Sequence, residues 1–349
     1  MNNGLIRSKR FWFGVFFFAG LVLISYLFTW YGKDLYSHKQ LFLKDTDGNV
    51  SQSAPFPPSL MPPFGSDRSG YNLFFKLIIG AKFTIIFVLG ICLIQMVLGT
   101  VLGSLLAYTP YKVQKFIQKA FKVYFYVPTI IWIILFMMPL MLKSEQTGFS
   151  SSIIVKQFLI LCVVTLPTLI LYIGQEINLF MKNEYITSSI VLGASKFYLL
   201  RKHIWLYLKE ILVILFLQQT VQLFILLIHL GFFGVLIGGR RVEMDPFSGN
   251  ITSFSLTNEW SGLIGLNKSE LLTAPWIALA PLVFFTISIF VLNCMIQGIK
   301  EQYNIRFIPI EKQKKKQRLV SEEKQLVMHV DKFNFAKINM KPIYKEKGN

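Results

Sequence analysis

Six long apolar runs, at residues 11–31, 77–107, 123–142, 153–173, 211–237 and 275–297, leave this 349-residue chain few ways to fold. Each holds about 20 residues or more, enough for an α-helix to cross roughly 30 Å of hydrocarbon. None alternates apolar and polar residues with period two, so the runs require helices and not the strands of a barrel. Composition agrees, with 53% hydrophobic residues, 33 of them Phe among the other apolar types, and a mean hydropathy of +0.51. The expected fold is all-α, a polytopic membrane protein with six transmembrane helices.

Around these runs the chain divides into an N-terminus with the first span (1–31), a Pro-rich outer segment (32–76), a five-helix core (77–298) and a basic tail (299–349). The core includes a polar loop (181–207) and an outer loop (238–274). The first run is too long for a signal-peptide core and lacks a small-residue cleavage site before Lys33, so it reads as a retained signal-anchor. Lys and Arg favour the side holding both termini: with the basic tail set aside, its segments carry 12 against 9 for the other side. That bias places both termini in the cytoplasm. The net charge of +18 then belongs with anionic headgroups; no aromatic-basic module for nucleic acid is present. Cys92, Cys162 and Cys294 all fall within spans and read as small apolar residues, not as a metal or disulfide framework.

The polar segments carry more detail. In the outer segment, Pro57, Pro58, Pro62 and Pro63 impose extended backbone, and Asp67 is a candidate cap for a helix starting near Tyr71. Lys112, Lys115, Lys119 and Lys122 share one helical face in the connection before the third span, where they suit headgroups. The loop 238–274 has the polarity of an external segment, with Trp260 near the surface, placed to close the outer mouth of a pathway or meet a delivery protein.

One segment departs from what a loop between spans needs. Residues 183–207, NEYITSSIVLGASKFYLLRKHIWLY, form a helix-prone island between two membrane-length runs. Glu184 to Leu192 suits a short helix, with Ile186, Ser189, Ile190 and Gly193 on one side as an apolar edge for a partner groove. Gly193 supplies a left-handed stop, and Ser195 caps a second helix from Lys196. A helix–glycine–helix bracket of this kind is a candidate docking element; the alternative is an interfacial pair resting on lipid.

These residues resemble a known family. The island is similar to the cytoplasmic loop of the second permease of binding-protein-dependent ABC importers of the oligopeptide/dipeptide/nickel group, matched at Glu184, Tyr185, Leu192, Gly193, Ala194, Ser195, Lys202, His203 and Ile204. The lead-in FGSDRSGYNLFFKLIIGAKFTI and the last-span start TAPWIALAP resemble that group's motifs in the same order, so the likeness runs from residue 57 to about 300. It implies a type I ABC importer permease-like bundle in a bacterial cell membrane, importing peptides or related solutes such as nickel chelates. The implied partners are a second permease, two cytoplasmic ATPase subunits or domains, an external solute-binding protein and membrane lipids. The implied coupling loop comprises Glu184, Tyr185, Ile186, Thr187, Ser188, Ser189, Gly193, Ala194 and Ser195. Two positions depart from the pattern: Thr187, followed by Ser188 and Ser189, replaces an acidic-Ala-Ala triplet, and Leu206 replaces a proline.

The spans themselves hold few ionisable groups. Lys82 and Lys156 lie near span ends, where snorkelling is the default, and no carboxylate sits well inside any run, as ion-coupled carriers usually require. Gln218, Gln222 and His229 share a face of the fifth run, as a pathway lining or as interhelical hydrogen-bonding groups. A membrane enzyme would need clustered acid/base or metal ligands, but His38, His203, His229 and His329 are scattered and no HExxH or GxSxG occurs. No phosphate-binding GxxxxGK[ST] occurs either, so ATP chemistry would reside on other chains and no cofactor is expected on this one. A degenerate sensor or scaffold subunit built on the permease plan remains a competing reading.

Overall fold

The computed structural model of the protein describes residues 8–32, 38–44, 49–147, 151–244 and 251–303. Among the described residues ten α-helices carry the fold, and five of them can each cross a membrane alone: α1 (Lys9–Tyr31), α2 (Leu73–Tyr108), α5 (Ser151–Phe180), α8 (Trp205–Phe232, with the turn before it) and α10 (Pro275–Tyr303). The described residues up to Gln302 form one compact unit, and the tail from residue 304 lies outside the described residues. The chain enters α1 at Ser8, whose side chain accepts from Phe11 N. The end of the bundle near the 183–207 loop is called the bracket side below, and its opposite the far side.

The third apolar run is corrected by the structure. Instead of one helix over 123–142, α3 (Tyr111–Tyr126) stops at Val127, and α4 (Thr129–Thr147) continues after a 76° bend. The cause is Pro128, which pushes Val127 into extended backbone (φ −94°, ψ 126°) and ends the helix there. Nor is α3 merely a surface connection. Asn178 donates to Gln114 Oε1 at 3.1 Å near its start, and Tyr124 donates to the Val164 carbonyl at 2.7 Å near its end. About 15 Å of α3 therefore accompanies about 21 Å of α5 into the bundle. Lys112, Lys115, Lys119 and Lys122 are all exposed, as their shared face requires.

The centre of the core is the α2–α5 pair. Gly99 and Gly103 let α5 approach closely: a Cβ at Gly99 would meet Leu169 at 2.7 Å, and one at Gly103 would meet Ile173 at 2.9 Å. Gln95, fully buried on α2, donates to the Cys162 carbonyl at 3.2 Å and to Thr165, tying the pair together in the apolar interior.

The far side differs most from expectation. Two hairpins, β1 (Phe42–Lys44) with β2 (Val50–Ser53) and β3 (Arg240–Met244) with β4 (Ile251–Ser255), flank the bundle. Between β4 and α10 the chain folds back as α9 (Trp260–Asn267) against α8 and α2. Trp260 is not near the surface but fully buried, its indole N–H donating to the Leu77 carbonyl at 2.9 Å. Close backbone contact allows this: a Cβ at Gly231 would lie 2.3 Å from the Ser261 carbonyl. Helix α8 ends at Phe232, so 233–237 turn out of the helix toward this layer instead of completing the fifth run.

Two smaller expectations are also revised. Asn72, not Asp67, caps α2; Asp67 instead accepts from Tyr71 N at 2.9 Å and pairs with the buried Lys76. The second concerns Lys82, whose ammonium is enclosed instead of free at a span end. The residue is 7% exposed and donates to Thr29 Oγ1 of α1 at 2.7 Å. Lys156 is exposed, as its place near a helix start allows.

Candidate functional site

The bracket forms as its residues dictate. Helix α6 (Glu184–Val191) ends in a Schellman arrangement: Gly193 N bonds to Ile190 O at 3.0 Å and Ala194 N to Ser189 O at 3.0 Å. Gly193 sits at φ +88°, the left-handed region that an L side chain resists. Ser195 Oγ then accepts from Tyr198 N at 3.2 Å and opens α7 (Lys196–Leu199). A π-helical turn, Leu200–Ile204, leads into α8.

The bracket is seated by its inner face. Ile186 is fully buried in a cluster with Ile177, Phe180, Leu199, Ile204 and Leu208, so it anchors the helix and presents nothing to a partner. Aromatic rings brace the seat: Phe180 stacks on Tyr207 at 4.3 Å, and His203 lies 6.2 Å from Tyr185 and 6.0 Å from Tyr198. Tyr207 also donates to Glu176 Oε2 at 3.2 Å. Tyr185 and His203, far apart in the matched loop pattern, are thus neighbours that fasten α6 to the start of α8.

The outer face is a different set of residues from the expected apolar edge. Glu184, Thr187, Ser188, Val191 and Leu192 fall at helical spacing and, with Lys182, line an open groove of about 520 Å³. Val191 and Leu192 are 81% and 88% exposed, the most prominent apolar side chains of the bracket. Neither was expected to face a partner, because the edge through Ile186, Ser189, Ile190 and Gly193 was read as the docking side. The three hydroxyls that replace the acidic-Ala-Ala triplet turn back onto the helix. Thr187 donates to Asn183 O, Ser188 to Glu184 O and Ser189 to Tyr185 O, at 3.2, 2.9 and 2.8 Å. Their hydrogens are satisfied locally, so the surface behaves as a small-residue one.

A second candidate surface lies on α8 and α10. Gln218 is half-buried, while Gln222 and His229 are exposed along one side of α8. Gln218 and Gln222 join Asn293, Gln297 and Lys300 of the antiparallel α10 around a groove of about 400 Å³. His229 lies two turns further toward the far side and outside that groove. Asn293, Gln297 and Lys300 stand at intervals of 4 and 3 on one face of an apolar helix, a signal as legible as the one on α8 but missed in the sequence.

Buried polar groups on the far side brace the structure. Glu259 caps α9, accepting from Ser261 N at 2.8 Å, Ser261 Oγ at 2.6 Å and Ile237 N at 3.1 Å. Burial raises its carboxyl above the ordinary range, against the hydrogen bonds, which favour the charged form. Gln157 of α5 donates to Leu236 O at 3.0 Å and accepts from Gly238 N at 2.9 Å, fixing the exit of α8. Neither residue was singled out in the sequence.

No protein-family model matches the chain. Over 258 residues, 74% of this chain and 74% of the relative, it is 21% identical to the oligopeptide transport system permease protein OppC of Haemophilus influenzae. That similarity supports an OppC-type permease.

Proposed function

We propose that this chain, an OppC-type permease by sequence, is the membrane-spanning subunit of an ATP-driven importer whose motor docks on the bracket. The observation that carries the reading is the division of the bracket into two faces. One face is locked into the bundle by Ile186 and the ring cluster, and the other offers a shallow groove tipped by Val191 and Leu192. An element rigidly fixed to two spans and open to solvent on its outer side is built to pass displacement from a partner into the helices. Helices α5 and α8, which supply the seat of Ile186, are the parts that such a push would reach first.

The transported solute passes along the α8–α10 wall in this reading. Exposed amides are costly against lipid, so Gln222, Asn293 and Gln297 face either water or a second permease that closes the pathway. Uncharged amides suit peptide backbones, which present alternating donors and acceptors. Peptides, as in the name of the relative, are therefore the proposed cargo, delivered by an external binding protein, with two ATPase subunits or domains on the cytoplasmic side.

Docking is tested by cysteine crosslinking in the purified assembly. Cysteine at Ser188 or Leu192 should form a crosslink to an ATPase subunit, whereas cysteine at the buried Ile186 should not. Labelling of Ser188 and Leu192 by lipid or solvent probes alone would remove the coupling role.

A further inference from the structure

A third cavity among the described residues is neither the bracket groove nor the amide wall. It is a cleft of about 800 Å³ between α1, α2, α8 and α10, lined along its length by Phe11, Ala19, Leu23, Ile86, Phe216 and Met295 among other apolar side chains. Of its two side-chain hydroxyls, that of Thr220 donates back to the Phe216 carbonyl at 2.8 Å, and that of Tyr26 belongs to one end of the cleft, so water finds almost no partners along its length.

The cleft lies beside α1, which is held at both ends and reaches α8 midway through Phe18, stacked on Phe224 at 6.4 Å. On the bracket side, Arg10 pairs with Glu301 at 2.6 Å, and Gly14 brings α1 against Met295. On the far side, Ser25 donates to the Ile79 carbonyl at 3.1 Å and Phe28 stacks on Phe75 at 4.9 Å. From Phe11 to Tyr26 the slot follows about 22 Å of helix, most of a bilayer core.

A second observation lies at the Tyr26 end. Lys82 is almost fully buried at the far end of α1, with only Thr29 Oγ1 as a hydrogen-bond acceptor and the rings of Tyr26 and Phe83 at 5.0 and 5.2 Å. No carboxylate pairs with it among the described residues. A cation within a membrane span is expected to have an anionic partner. Tyr26 both lines the cleft and lies under the ammonium, so the apolar slot and the cation belong to one site.

We propose that this site holds one membrane phospholipid, with an acyl chain in the cleft and its phosphate beside Lys82. The chemistry of the slot selects this occupant. Its lining matches a hydrocarbon chain, it lies among membrane-length helices, and its cation stands beside Thr29, in the last turn of α1. A second permease is the wrong occupant, because the cleft is on the other side of α8 from the amide wall. At about 100° per residue, Thr220 lies about 200° around the helix from Gln218.

The test is made on the complete purified assembly after exhaustive detergent washing, with retained phospholipid counted by extraction and mass spectrometry. The native protein should keep a single phospholipid per chain, enriched in anionic species. Ala19→Phe, or Leu89→Phe from the α2 side, should fill the slot and cut retention severalfold. Lys82→Met should lower retention and erase the headgroup preference, and Lys82→Arg should restore both. Ile24→Phe, the same enlargement as Leu89→Phe but outside the cleft, should change nothing. Equal retention in all variants, or a freely exchanging detergent in place of phospholipid, would overturn the assignment.

Discussion

Trp260 shows how far a single side chain's position can escape local reading. It follows a polar hairpin, and its surroundings in sequence have the character of an external loop. Its indole nevertheless lies against Phe284 and Phe285 at 5.5 and 5.4 Å and donates to α2. Trp260→Ala should destabilise the bundle by about 3–5 kcal/mol through the cavity and lost contacts. Trp260→Phe should cost less, on the order of 1 kcal/mol for the hydrogen bond. Thermal unfolding of the purified assembly would rank them; equal losses would mean that α9 is not part of the core.

The neighbouring Glu259 gives a pH signature. Because its folded-state carboxyl titrates above its unfolded value, the folded protein binds that proton more readily, and stability falls as pH rises through the interval between the two. Mild acidification into that interval should therefore raise the melting temperature. Glu259→Gln should flatten the slope, although it also loses an acceptor for the α9 cap. An unchanged slope in the variant would assign the pH dependence to another group.

Among the elements, the bracket was the most legible in sequence and the third span the least. Helix, glycine stop and serine cap each depend on residues within a few positions of one another, so local chemistry determines them. Gly193→Val has open space around it but would force an L residue to φ +88°, a strain of roughly 1–2 kcal/mol. It should leave the spans inserted while reducing substrate-stimulated ATP hydrolysis and uptake together. Full coupling in that variant would show that the turn transmits nothing. The third run misled because hydropathy was weighed over its length, while Pro128 inside it carried the breaker signal.

Across the whole molecule, the polar wall needs two helices that the sequence separates by some 70 positions. Each stripe is visible alone, but only the antiparallel pairing of α8 with α10 brings Gln218 and Gln222 to Asn293 and Gln297. Replacing Gln222 and Asn293 together by Leu should preserve insertion and assembly yet reduce peptide uptake more than tenfold, roughly the effect of losing about 1.4 kcal/mol of stabilisation along the path. Uptake at the native rate would return those amides to a packing role between subunits.

What the chain alone determined is whatever hydrophobicity and short-range backbone chemistry can specify: membrane-length helices, the bracket and the resemblance carried by its motifs. Burial was decided only by tertiary structure. A polar or charged residue takes its role from the partner that desolvates it, and for Lys82, Glu259 and Trp260 those partners are Thr29, Ile237 and Leu77, each more than twenty positions away.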